Sequence, residues 1–190
     1  SKLGSEGMEV DSVVTLMQNA TVEAIAELVA NSVVNSTRPF VRIDRPLGAQ
    51  TALPLSCEQA QMWVLYQMDP SSAYNMPLQR ELQGTLHMDK LIAAVEEVAR
   101  HHEVLRVRFG NDADGKARQW AVPADEWRVS VSDLNASSAE EAEEMVEDEL
   151  AKAIPLKRAP VRLTVVHVGS ERHTVVLNMH HIVTDGFSEA

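Results

Sequence analysis

Near its end the chain reads Asn178-Met179-His180-His181-Ile182-Val183-Thr184-Asp185-Gly186-Phe187. The β-branched run Thr174-Val175-Val176-Leu177 before it predicts a buried strand, and Asp185-Gly186 predicts a turn. Two histidines therefore stand where a buried strand opens into a loop, with an acid four residues after the second. A strand end holds a side chain rigidly, while a loop admits a ligand. Histidine suits proton transfer because its ordinary pKa lies near neutrality. Asp185 can orient the loop or an imidazole, or bind an arginine elsewhere. Taken alone, a His-His pair at a strand end is more often structural than catalytic. Strand alternation also sends neighbouring side chains to opposite faces, so only one of the pair can face a given cavity. Adjacent histidines make a poor zinc pair, and neither a His-Glu-x-x-His spacing nor a cysteine pair accompanies them; no metal site is expected.

The composition narrows the classes. A net charge of −11 argues against a nucleic-acid surface. Seven of the acids (Glu140, Glu141, Glu143, Glu144, Glu147, Asp148 and Glu149) crowd one segment, which reads as a solvated helix face. The single cysteine, Cys57, cannot form an internal disulfide, which fits a reducing compartment. No apolar run approaches the ~20 residues of a membrane span, and no signal pattern opens the chain. A cytoplasmic location is expected.

The elements that must position the histidines follow in order. Thr21 can cap a short amphipathic helix carrying Val22, Ile25, Ala26, Val29 and Val33. Prolines and arginines then mark a linker over 35–52. Ser56 should cap a helix to about Met68, with Gln59, Met62, Trp63 and Tyr66 on one face. Tyr74–Leu82 reads as a strand closed by Gly84. Met88–His102 is an amphipathic helix with the stripe Met88, Leu91, Ile92, Val95, Val98 and Ala99. Leu105–Phe109 and Arg118–Val122 should form a hairpin about Asn111–Gly115, followed by a strand over Trp127–Leu134. Ser138 should begin the acidic helix and Pro155 stop it. Val161–Val168 and His173–Met179 complete a last hairpin. Hairpins outnumber βαβ units, which predicts an α+β fold or a mixed sheet with helices on one side.

Three stretches carry a family resemblance. Leu55-Ser56-Cys57-Glu58-Gln59-Ala60-Gln61-Met62-Trp63 resembles the opening motif of condensation domains in nonribosomal peptide synthetases. Arg100-His101-His102-Glu103-Val104-Leu105-Arg106-Val107-Arg108-Phe109 resembles their second motif, and His180-His181-Ile182-Val183-Thr184-Asp185-Gly186 their active-site motif. Tyr74-Asn75-Met76-Pro77 also looks like the family's segment after the first helix. The resemblance implies a chloramphenicol-acetyltransferase-like lobe with helices packed on a mixed sheet, one of two lobes flanking a tunnel. Residues 53–190 would be the N-terminal lobe, cut off after the active-site motif, with the C-terminal lobe missing. Residues 1–34 resemble the end of a carrier protein.

The implied activity is amide formation between a carrier-bound aminoacyl or acyl thioester and a carrier-bound amine. The lobe would bind no cofactor itself. Its substrates would arrive on the phosphopantetheine arms of upstream and downstream carrier proteins, with no nucleic acid or membrane as partner. By resemblance His181 is catalytic, while His180, Asp185 and Gly186 shape the active site. The family usually has an arginine where Gln61 stands, and glutamine cannot replace its ion pair. Asp185 would then need another partner, such as Arg106 or a residue of the missing lobe. The extra histidine in His101-His102-Glu103 is a second departure. Rival readings are a coenzyme A-dependent acyltransferase of the same fold and a degenerate, non-catalytic carrier-binding platform. The isolated fragment is expected to be inactive.

Overall fold

The computed structural model describes residues 52–185. The expected helix after Thr21, the carrier-like segment, nearly all of the linker and Gly186 lie outside the described residues.

Helix α1 (Cys57–Met68) starts as its sequence asks. The Ser56 hydroxyl accepts from Gln59 N–H while the Gln59 side chain accepts from Ser56 N–H, a reciprocal capping box. Strand β1 (Asn75–Gln83) follows and is turned by Gly84, whose φ of +95° favours glycine. Helix α2 (Met88–His101) then leads into a 3-10 turn over Glu103–Arg106. Strands β2 (Val107–Asn111) and β3 (Ala117–Ala121) form the expected antiparallel hairpin. Strand β4 (Ser130–Ala136), helix α3 (Ala139–Leu150) and strand β5 (Val161–Val168) make one parallel crossover. Strand β6 (Arg172–His180) returns antiparallel to β5. The main sheet runs β1-β6-β5-β4, and its mixture of parallel and antiparallel pairs matches the α+β expectation.

The helices cover both sides of this sheet, not one. On β5, Val161, Leu163 and Val165 meet the apolar stripe of α2, whereas Val166 faces Ala142 and Val146 of α3. A strand apolar on both faces has to be covered on both. A third cluster joins Trp63 of α1 to Phe109, Ile154, Leu156, Ile182 and Val183, and so packs α1 against the loop that follows β6.

Three boundaries differ from the periodicity, each because a side chain or turn takes the backbone. The strand expected from Leu105 starts at Val107, since Leu105 N–H bonds the His102 carbonyl at 3.0 Å and tightens the end of α2 into the 3-10 turn. The strand expected from Trp127 starts at Ser130, because Glu126 and Trp127 both donate to the Pro123 carbonyl. Helix α3 ends at Leu150, before Pro155 can act: Arg162 and the Asn75 amide take the carbonyls of Glu149, Leu150 and Lys152.

Candidate active site

The site is the passage from β6 into its loop. Strand alternation sends Met179 to the α2 side of the sheet and His180 to the other. His180 is 1% exposed, and its ring lies among the aromatic rings of Tyr66 and Tyr74, with centroids 5.9 and 6.2 Å away. Its Nδ1 accepts the Ile182 N–H at 3.0 Å. A nitrogen that accepts carries no proton, so neutral His180 bears its hydrogen on Nε2. Burial, with the neighbouring charge of His181 adding to it, pushes the His180 imidazole down to about 4. His180 is therefore an uncharged part of the interior near neutral pH.

His181 is the first residue past the strand and is exposed. Its backbone is tied down: His181 N–H bonds the Tyr74 carbonyl at 2.8 Å, and Val183 N–H bonds the His180 carbonyl at 3.0 Å. Its ring is tied as well, with Nδ1 2.6 Å from the Thr184 carbonyl. A carbonyl only accepts, so Nδ1 carries the proton and the lone pair sits on Nε2. Thr184, Ile182 and Val183 are themselves buried, so the turn rests on packed side chains. The arrangement presents one imidazole nitrogen to solvent as a base or hydrogen-bond acceptor, at a set orientation.

The other residues singled out in the sequence are distributed around this turn. Asp185 is exposed at its end. Arg106, expected as a partner for Asp185, is committed elsewhere. Its guanidinium turns inward to the carbonyls of Ala99, at 2.8 Å, and Val122, so it joins the end of α2 to the β2–β3 hairpin. A five-donor fork meeting two carbonyls left over at element ends suits that bracing role. Gln61 lies on the exposed side of α1 and its side chain makes no hydrogen bond among the described residues, while Gln59, Met62, Trp63 and Tyr66 face inward. At the second motif, His101 ends α2 and reaches Glu97 at 3.0 Å, and His102 is the C-cap residue, its N–H on the Val98 carbonyl.

Sequence reasoning missed the partners of the turn. Tyr74 and Thr184 act through carbonyls, which leave no signal in residue type. It also missed a second histidine constellation, His167–His173–Asp133, at the far end of the same strands. There the two Nδ1 atoms lie 2.6 Å apart, His167 Nε2 reaches Asp133 at 2.9 Å and His173 Nε2 reaches the Gly84 carbonyl at 3.0 Å. Equal spacing from the β5–β6 turn was the available clue, because it places His167 and His173 opposite each other in register.

Among the described residues no three His, Cys, Asp or Glu side chains gather closely enough to hold a metal ion, and no helix is long and apolar enough to cross a membrane.

The family model described as Condensation domain matches residues 49–190. A linear gramicidin synthase protein from Brevibacillus parabrevis is 33% identical over 150 residues, 76% of this chain and 2% of that protein. A plipastatin synthase protein from Bacillus subtilis (strain 168) is 33% identical over 170 residues, 88% of this chain and 6% of that protein. The chain thus spans only a few per cent of these relatives' length. Among solved structures, the first condensation domain of the calcium-dependent antibiotic synthetase, in complex with a substrate analogue, superposes with a TM-score of 0.59 at 26% identity, covering 72% of this chain and 34% of that one. The X-domain from teicoplanin biosynthesis gives a TM-score of 0.62 at 24% identity, covering 76% and 30%, and so shows the shared fold.

Proposed function

The chain belongs to the condensation-domain family, and from that premise we propose that it serves amide formation in nonribosomal peptide assembly, with His181 as the catalytic residue. The donor is an acyl or aminoacyl thioester and the acceptor an amine, each delivered on the phosphopantetheine arm of a carrier protein. The amine nitrogen attacks the thioester carbonyl, a C–N bond forms, the C–S bond breaks and the thiol leaves with a proton. The observation that carries this reading is the Nδ1–H of His181 held on the Thr184 carbonyl. It leaves the Nε2 lone pair on an exposed, braced turn, where it can accept the proton of the attacking amine or hydrogen-bond the developing ammonium.

In this reading His180 is the buried prop beneath the turn, Asp185 and Gly186 shape its exit, and Arg106 braces the scaffold through backbone carbonyls. Gln61 stands on the exposed side of α1. Residues 53–190 act as the N-terminal lobe, with 1–34 the end of a carrier protein and 35–52 the linker between them. The lobe binds no cofactor of its own, the protein works in the cytoplasm, and turnover requires the rest of the condensation domain. The matched segment covers 36% and 34% of two solved condensation-domain chains, which supports that requirement.

The test supplies donor and acceptor carrier thioesters to the intact domain and follows the condensed product by mass spectrometry. Product that disappears with His181→Ala is the expected result. Folded domain that yields no amide from any pair of thioesters its carriers accept would overturn the reading and favour a binding platform.

A further inference from the structure

Among the described residues, four side chains on the α3 side of the sheet have buried polar atoms with no hydrogen-bond partner. They are Nε2 of His180, both amide atoms of Asn178, Oδ1 of Asn75 and Nε of Arg162. Strand register places them together. Asn75 stands opposite His180, Arg162 stands opposite Asn178, and alternation along β6 puts Asn178 and His180 on one face. Asn178 and His180 are each 1% exposed.

Their chemistry is complementary. Nδ1 of His180 accepts from Ile182, so its Nε2 is a donor. The Asn75 amide nitrogen donates to the carbonyls of Leu150, at 3.2 Å, and Lys152, at 3.0 Å, so its Oδ1 is an acceptor. A buried donor and a buried acceptor on paired residues are each costly if left unmade. Native interiors satisfy such sites with ordered water where two to four polar partners converge.

We propose that Asn75 and Asn178 are positioning residues for His181, acting through an ordered water that accepts from His180 Nε2–H and donates to their side-chain oxygens. The claim rests on the reading of His181 as the reacting group. The water locks the His180 ring at one nitrogen while Ile182 N–H locks it at the other. The backbone from His180 to Thr184, which carries both the His181 ring and the carbonyl that orients it, is then held from below. Asn75 adds a second tether. It anchors the start of β1 to the end of α3, and the adjacent Tyr74 carbonyl holds His181 N–H. The low pKa of His180 agrees with this network, which needs a neutral ring with a free Nδ1 lone pair.

The test has two arms in the intact condensation domain. A crystal structure at a resolution that shows ordered water should contain a peak within hydrogen-bond distance of His180 Nε2 and Asn75 Oδ1. Direct closure of these atoms on each other, or no peak, overturns the water site. In single-turnover kinetics Asn178→Leu should lower kcat roughly tenfold to a hundredfold, the range expected when a reacting group is misplaced, and leave KM for the carriers unchanged. Asn178→Asp, which keeps an acceptor oxygen, should restore most of the rate. A well-folded Asn178→Leu domain with wild-type kcat overturns the positioning role. The water peak is read without turnover, so an active His181→Ala, which would sink the functional reading, is distinguishable from failure of the site.

Discussion

The two ends of strand β6 carry buried histidines in opposite states of satisfaction. At the hairpin end every ring nitrogen of the His167–His173 pair has a partner, and the chain of bonds runs from the Gly84 carbonyl through both rings to Asp133. At the loop end, among the described residues, His180 keeps one nitrogen without a protein partner and His181 directs only Nδ1 to the protein. Both ends have a carboxylate nearby in sequence or space, and both have a ring almost wholly buried: His173 is 5% exposed and His180 1%. Burial and residue type therefore do not separate the two. What separates them is where the lone pairs go. A cluster whose ring nitrogens all face protein atoms holds strands together, whereas a set ring with a nitrogen turned away from the described residues at an exposed turn can act on something else.

The sharpest way to break this comparison is to exchange losses between the ends. His181→Ala should reduce amide formation by about 10²–10⁴-fold, the usual contribution of a positioned general base, with only a small fall in melting temperature from the Thr184 carbonyl that loses its partner. His173→Ala should do the reverse. It leaves the His167 Nδ1 and the Gly84 carbonyl without their partner, at about 1–3 kcal/mol, while activity per folded molecule stays near wild type. Single-turnover assays beside thermal melts read both. Equal activity of His181→Ala and wild type would erase the distinction.

A second measurement sharpens the account of His180. Its folded pKa, about 4, lies below the ordinary 6.5. Between those values the unfolded chain binds a proton that the folded chain refuses, so stability rises with pH across the window. The contribution is fully present above about 6.5 and is lost as pH falls through about 4. Melting temperature should drop over that range, and His180→Asn should flatten the part of the slope that this ring causes. An unchanged slope in the variant would assign the acid sensitivity elsewhere.

The smallest effects belong to carboxylates. Glu149 is buried, and burial pushes its carboxyl up. The Lys152 hydrogen bond and charge, the Ser132 hydroxyl and the Arg162 charge together outweigh that and hold it below the usual range. Glu149→Ala leaves Arg162 without its anion and should cost roughly 2 kcal/mol. Glu97 is exposed, and its hydrogen bond to Arg100 holds its carboxyl down to about 2. Solvent screens that pair, so Glu97→Ala should leave the denaturant midpoint where it is. A clear midpoint shift in Glu97→Ala would contradict this ranking.

Most elements were legible because local rules decide them. Ser56 with Gln59 announces a capping box, the apolar stripe from Met88 to Ala99 announces a helix, and Asp112 to Gly115 announces a hairpin turn. The acidic run from Glu140 to Asp148 is mostly exposed, as expected, and Glu140 also lies in the field of Arg172 on β6. The order His180-His181 at a strand end, with Asp185 beyond, was visible for the same reason: period-two alternation and turn chemistry are properties of neighbours. Tertiary structure alone decided the rest. Arg106 went to two carbonyls because the ends of α2 and β3 meet there, and Glu149 became the buried member of the acidic helix because Arg162 lies beneath it on β5. The placement of the Thr184 carbonyl on His181 Nδ1, and the gathering of Asn75, Asn178 and Arg162 below His180, depend on register between strands far apart in sequence. Carbonyls carry no residue identity and register carries no local signal, so which nitrogen of which histidine is left to react could be read only from the folded chain.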